Sequence, residues 1–212
     1  MNIRYHCQLL AVLCFAAPVA ASGVSSDNLI KDLAKIGAFG VQFEQRTADV
    51  YGETVILSSG QFYLNRPNQF YWYQKQPDEI RYVSDGKLYW EYDAPLEQVI
   101  IKDANKALEN SPIEWLLKNP HGWLEDFLVS DVPVYEEGCI SSRCYLLIPK
   151  DDADFIASAL LGFDGDFLSQ ISFIDNLEQT TQIVFSGYEA GKLPSDGFQL
   201  QLPENVEILD LT

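Results

Sequence analysis

The chain has 212 residues, 47% of them hydrophobic, with 31 acidic side chains against 14 Lys and Arg and a net charge of −17 at pH 7. That charge has the wrong sign for neutralising phosphates, which excludes nucleic acid and anionic lipid surfaces as partners. The length is enough for one domain with a sizeable core.

The first 21 residues read as a secretory signal peptide. Arg4 gives a positive start, Leu9 to Ala17 is an apolar run, and Pro18-Val19-Ala20-Ala21-Ser22 is a small-residue exit. The run is too short for a membrane span. Cleavage is expected after Ala21, with Ala20 as the competing position. Leu13 stands before Cys14, where lipid attachment requires a small residue, so the mature chain is expected to be unanchored. Residues 22–212 form a single expected domain. Cleavage removes Arg4 and no acid, which takes the net charge to −18.

Ser26 or Asp27 can cap a first helix with Leu29, Ile30, Leu33 and Ile36 on one stripe and Gly37 at its end. From Phe39 the period changes to two: Phe39, Val41 and Phe43 alternate with Gln42 and Glu44. After a turn around Gly52 a strand runs to about Leu64. Asn65-Arg66-Pro67-Asn68 is a corner, because Pro67 cannot donate to a ladder. Strands are expected over 69–75, 79–84, 87–93 and 97–101, with Asp85-Gly86 as a hairpin signal. Ten of the 27 aromatic residues fall between Gly60 and Tyr92. Phe62/Leu64, Phe70/Trp72 and Leu88/Trp90/Tyr92 have the spacing of a face turned to an apolar interior, with Tyr63, Tyr71, Tyr73 and Tyr89 on the other face. So much aromatic surface suggests an interior that holds something greasy.

Ser111-Pro112-Ile113-Glu114 is a capping box with Pro at the first helical position, opening a short helix that contains Ile113, Trp115, Leu116 and Leu117. Two readings stand: a core helix over one end of the sheet, or a lid over a cavity mouth. Strands then return at about 131–136, 144–149, 154–161, 167–174 and 178–187, with short closing strands at 198–202 and 206–209. The pattern implies one strongly curved antiparallel sheet.

Only Cys139 and Cys144 survive cleavage, and in an exported protein they are expected to form a structural disulfide across a four-residue link. With His121 they are too few for a closed zinc site, so no metal is expected. No nucleophile elbow, zinc-protease helix, phosphate loop or dinucleotide fingerprint occurs, so no catalytic residue and no cofactor is assigned. Arg66 is either an exposed corner residue or a fork of donors that reaches the carbonyls of a neighbouring element, the 111–118 helix being the obvious one.

The ordered run Asn65-Arg66-Pro67-Asn68-Gln69-Phe70-Tyr71-Trp72, Gln76-Pro77-Asp78, Val83-Ser84-Asp85-Gly86-Lys87, Leu88-Tyr89-Trp90 and Tyr92-Asp93 closely resembles the LolA family, as do Phe39-x-x-x-Phe43-x-Gln45, Leu96-Glu97-Gln98-Val99, Ser111-Pro112 and Phe198-Gln199-Leu200. The resemblance covers nearly all of the mature chain. It implies a mainly β fold with an α lid: an unclosed antiparallel half-barrel of about 11 strands whose helices cover an apolar cavity. It also implies a periplasmic, monomeric, non-enzymatic carrier of outer-membrane lipoproteins. Such a carrier takes lipoproteins from an inner-membrane ABC transporter and hands them to an outer-membrane acceptor.

By the same resemblance Arg66 is the lid latch and Phe70 the aromatic that receives cargo. The acyl-chain cavity is expected to include Phe43, Phe62, Phe70, Trp72, Leu88 and Trp90, under a lid of Ile113, Trp115, Leu116 and Leu117. The Cys139–Cys144 pair is not a family-wide feature. A carrier of another lipid or glycolipid, the acceptor lipoprotein of the same fold and an exported hydrolase are the competing readings.

Overall fold

The computed structural model describes residues 22–212 apart from 110, 111, 118, 137, 152–155 and 203, together with all side chains in that range except those of 22–24, 112, 115 and 123. The expected signal peptide and Ser111 of the expected capping box lie outside the described residues. Among the described residues, twelve strands form one sheet in the order β12-β6-β5-β4-β3-β2-β1-β11-β10-β9-β8-β7, where the sequence suggested about 11. The first meander is β1 (Phe39–Ala48), β2 (Thr54–Asn65), β3 (Gln69–Gln76), β4 (Ile80–Ser84), β5 (Leu88–Asp93) and β6 (Gln98–Asp103). The second is β7 (Phe127–Val132), β8 (Arg143–Pro149), β9 (Ile156–Asp164), β10 (Phe167–Asp175) and β11 (Thr180–Ala190). Antiparallel pairing of β1 with β11 joins the two, and β12 (Glu207–Asp210) adds to β6 in parallel.

The sheet curls round a core that α1 (Ser22–Lys35) plugs with Leu29 and Leu33, both without solvent exposure. The helix begins earlier than Ser26 or Asp27 would place it. Between β6 and β7 the chain makes α2 (Ala104–Leu108), α3 (Pro112–Leu117), a 3-10 turn at Pro120–Gly122 and α4 (Trp123–Asp126). Asp103 caps α2 by accepting the Lys106 N–H at 3.1 Å. These helices lie between β6 and β7 in the chain, the strands nearest the two ends of the sheet, which does not close into a barrel.

Two strand expectations need correcting. The strand expected at 131–136 is β7 at 127–132: Phe127 and Val129 enter the core, alternating with exposed Leu128 and Ser130, and Pro133 has no N–H with which to continue. Residues 198–202 form no strand. Phe198 and Leu200 bury their side chains, Leu200 against Val83 and Val99 on the outer face of the sheet, while the place beside β6 is taken by β12.

Cys139 and Cys144 are bonded, at a sequence separation of 5. The loop is also held by Gln170, which accepts the Ile140 N–H at 3.0 Å and donates to the Gly138 carbonyl at 2.8 Å. A closed loop this short restricts the unfolded chain by only about 2 kcal/mol. Replacing both cysteines by Ala is therefore expected to lower the melting temperature by roughly 4–8 °C and to leave lipid binding unchanged. Loss of binding by the folded variant would give the bridge a functional role.

Candidate functional site: an apolar cavity roofed by short helices

A cavity of about 260 Å³ opens inside the curl of the sheet. One wall is aromatic: Phe62 from β2, Phe70 and Trp72 from β3, Tyr82 from β4 and Tyr89 from β5. The facing wall is Ile171 and Phe173 from β10 with Ile183 and Phe185 from β11. Ala107 and Leu108 of α2 and Ile113 and Leu116 of α3 make the roof. The Phe62 and Phe185 rings stack at 5.9 Å and join the two walls. Tyr82 and Tyr89 stack at 6.4 Å with their ring planes nearly parallel. Burial, with Glu91 beside it, pushes the Tyr89 phenol far above its ordinary range, so that wall carries no charge at neutral pH.

Arg66 sits at the corner after β2, where Asn65 donates its side-chain N–H to Gln69 Oε1 at 2.7 Å. Its Nε–H donates to the Leu116 carbonyl of α3 at 2.8 Å and its Nη1–H to the Leu33 carbonyl of α1 at 2.7 Å. One guanidinium thus ties both helices to the sheet. Burial lowers its pKa, but a guanidinium remains protonated at neutral pH. Its Nη2 is buried and unpaired among the described residues.

On its far side α1 is fixed by Asp32, 6% exposed. That carboxylate accepts from Tyr145 Oη at 2.8 Å, from Arg143 Nε and Nη2 at 3.2 and 3.1 Å, and from Lys35 Nζ at 3.4 Å. Burial first, then the bond to Asp32, pushes the Tyr145 phenol up to about 12. Together with the Arg66 bond to the Leu33 carbonyl, this ties α1 to both meanders of the sheet.

The structure brings Phe62, Phe70, Trp72, Ile113 and Leu116 together round the cavity. Phe43 lies one layer behind, its ring stacked on Trp72 at 3.7 Å. Leu117 is buried but faces a second hollow beside Asn68 and Gly86. The Trp115 side chain lies outside the described residues.

Leu88 and Trp90 must be corrected. The register Ser84↔Tyr89 and Val83↔Trp90 turns Tyr89 inward with Tyr82, and Trp90 packs outside with Val83, Val99 and Leu200. Leu88 shares the Trp90 face by alternation. The sequence reading missed the β10–β11 wall and Tyr82. The signal was there in Ile171/Phe173 and Ile183/Phe185, spaced by two on strands already expected.

Residues 34–201 match the family model described as outer membrane lipoprotein carrier protein LolA. The chain belongs to the LolA family. It is 31% identical over 208 residues to an outer-membrane lipoprotein carrier protein of Shewanella sediminis, covering 95% of each chain. It is 30% identical over 193 residues to one of Pseudomonas syringae pv. tomato, covering 91% of each. Among solved structures, an uncharacterized conserved protein from Thermus thermophilus superposes with a TM-score of 0.54 at 12% identity, over 87% of this chain and 95% of that one. MucB does so at 0.52 and 11% identity, over 88% and 66%. These two likenesses concern the fold alone. No helix among the described residues is long and apolar enough to cross a membrane.

Proposed function

We infer that the mature chain is a periplasmic carrier. It receives acylated lipoproteins from an inner-membrane ABC transporter, shields their acyl chains in the roofed cavity as a monomer, and delivers them to an outer-membrane acceptor. The observation that carries this reading is the apolar-walled cavity under a roof whose helix α3 Arg66 holds through the Leu116 carbonyl. Each methylene sheltered from water gains about 0.8 kcal/mol, so cargo has a strong reason to enter.

The cavity volume of about 260 Å³ is below the ~300–1,000 Å³ of ordinary small-molecule sites. Several acyl chains therefore require the roof to lift. Helices α2 and α3 have 5 and 6 residues, too short to be stable alone, and depend on packing, α3 also on its bond from Arg66. The unpaired Nη2 leaves the latch incompletely satisfied. Acyl chains and the lid compete for one surface, and re-closing of the lid favours release without ATP at the carrier.

The test is mass spectrometry of what co-purifies with the exported protein. Lipid-modified N-terminal cysteine peptides are expected. A glycolipid in their place, or acyl hydrolysis by the pure protein, would replace this reading.

A further inference from the structure

Strand β2 is 12 residues long and pairs with β1 along its length, from Ala48↔Thr54 to Phe39↔Leu64. Its pairing with β3 starts only at Ser59↔Gln76. The register shifts between Ser59 and Gly60, and a Cβ at Gly60 would lie 1.8 Å from the Tyr73 carbonyl oxygen, so only glycine permits that approach. Beyond Gln76, Pro77 has no N–H with which to extend the ladder. Residues Thr54–Ser58 thus have β1 on one side and, among the described residues, no strand on the other. In an antiparallel pair every second residue there turns its N–H and C=O away from β1.

The side chains on this open edge are apolar and exposed: Val55 54%, Ile56 49% and Leu57 67%. Protein edges are ordinarily shortened or guarded by charge or proline. Such a guard is present at β12, which is 4 residues long and carries Glu207 and Asp210. Residues 54–58 have none. A notch of about 290 Å³ adjoins the edge, bordered by Glu44, Leu57, Gln76 and Pro77. Glu44 at the notch, Glu53 before Thr54 and Asp78 after Pro77 are all exposed. Against these three carboxylates stand two cations, Arg46, bonded to the Thr54 hydroxyl and the Gly52 carbonyl, and Lys75, over the Tyr73 ring.

We propose that the free edge Thr54–Ser58 docks one extended strand of a protein partner, in which apolar residues alternate with Lys or Arg. The partner's backbone continues the sheet in line with β3; its apolar side chains cover Ile56 on the face of Thr47, and its basic side chains lay their stems over Val55 and Leu57 on the face of Glu44, one of them reaching the notch. Charge selects this occupant. A second copy would bring two chains of net charge −17 together along edges flanked by Glu44 and Glu53. The inference is independent of what the cavity carries.

The probe is an end-blocked eight-residue peptide of alternating Lys and Val, titrated into the full mature protein while backbone amide exchange is followed residue by residue. Exchange is expected to slow at least tenfold at alternate positions within Thr54–Ser58. The Glu/Val peptide should fail. Leu57→Lys should abolish the protection, and Glu44→Gln should weaken peptide binding severalfold with the fold unchanged. The proposal is overturned if saturating peptide protects no amide there, or protects another edge instead. It is equally overturned if the free edge pairs with a second copy, or if Leu57→Lys removes binding to phosphatidylcholine vesicles and leaves peptide protection intact.

Discussion

Phe70→Glu is expected to abolish lipoprotein loading while leaving a folded protein. Phe70 is 2% exposed, pairs with Leu64 and Ser84 across β3, and presents its ring to the cavity beside Tyr89 at 6.4 Å. A carboxylate in its place would meet aromatic rings and the apolar roof, with no cation on the cavity wall to pair with it. An unpaired polar group so placed costs about 3 kcal/mol, more than a hundredfold in affinity. The measurement is transfer of lipoprotein from spheroplasts to purified carrier, with circular dichroism to establish the fold. Phe70→Leu, which keeps the face apolar, should load nearly as wild type. Normal loading by folded Phe70→Glu protein would put this ring outside the acyl path.

Arg66→Leu is expected to separate loading from delivery. The substitution removes two charge-assisted bonds, to Leu33 and Leu116, that hold α1 and α3 to the corner of the sheet. If the closed state weakens by about 2 kcal/mol, the balance between empty-closed and cargo-bound forms moves roughly thirtyfold toward cargo. Loading should proceed at wild-type efficiency or better, and hand-off to the acceptor should fall, because re-closing no longer expels the chains. Arg66→Lys should be intermediate: an ammonium keeps the charge but cannot serve two carbonyls with a planar fork. Both steps must be followed on folded protein. Delivery at the wild-type rate by Arg66→Leu would reduce Arg66 to a corner residue.

Much of this architecture was legible from residue spacing. Period two located most of the strands, and the Arg-Pro corner singled out Arg66 before its partners were known. Alternation alone does not say which face of a strand is inside when both faces are aromatic. In β5, Tyr89 and Trp90 compete on equal terms, and only the five-residue length of β4 and its register decide for Tyr89. The β10–β11 wall escaped for another reason. Ile171, Phe173, Ile183 and Phe185 look like ordinary core residues until β1 pairs with β11 and brings them opposite Phe62. The bond from Arg66 to a carbonyl of the 111–118 helix was expected, but its second partner, the Leu33 carbonyl of α1, was hidden, since a backbone acceptor leaves no mark in a sequence.

The order of the strands also has a kinetic consequence. Every pairing from β1 to β6, and every pairing from β7 to β11, joins neighbours in the chain. Each meander can zip from its own turns at low loop-closure cost. The antiparallel junction of the two halves is β1 against β11, where Ala48 meets Thr180 and Phe43 meets Phe185. Forming that seam requires closing a loop of well over a hundred residues. Closing that seam is expected to limit the folding rate, so substitutions at Phe43 or Phe185 should retard refolding more than equally buried substitutions inside either meander, as stopped-flow refolding would read.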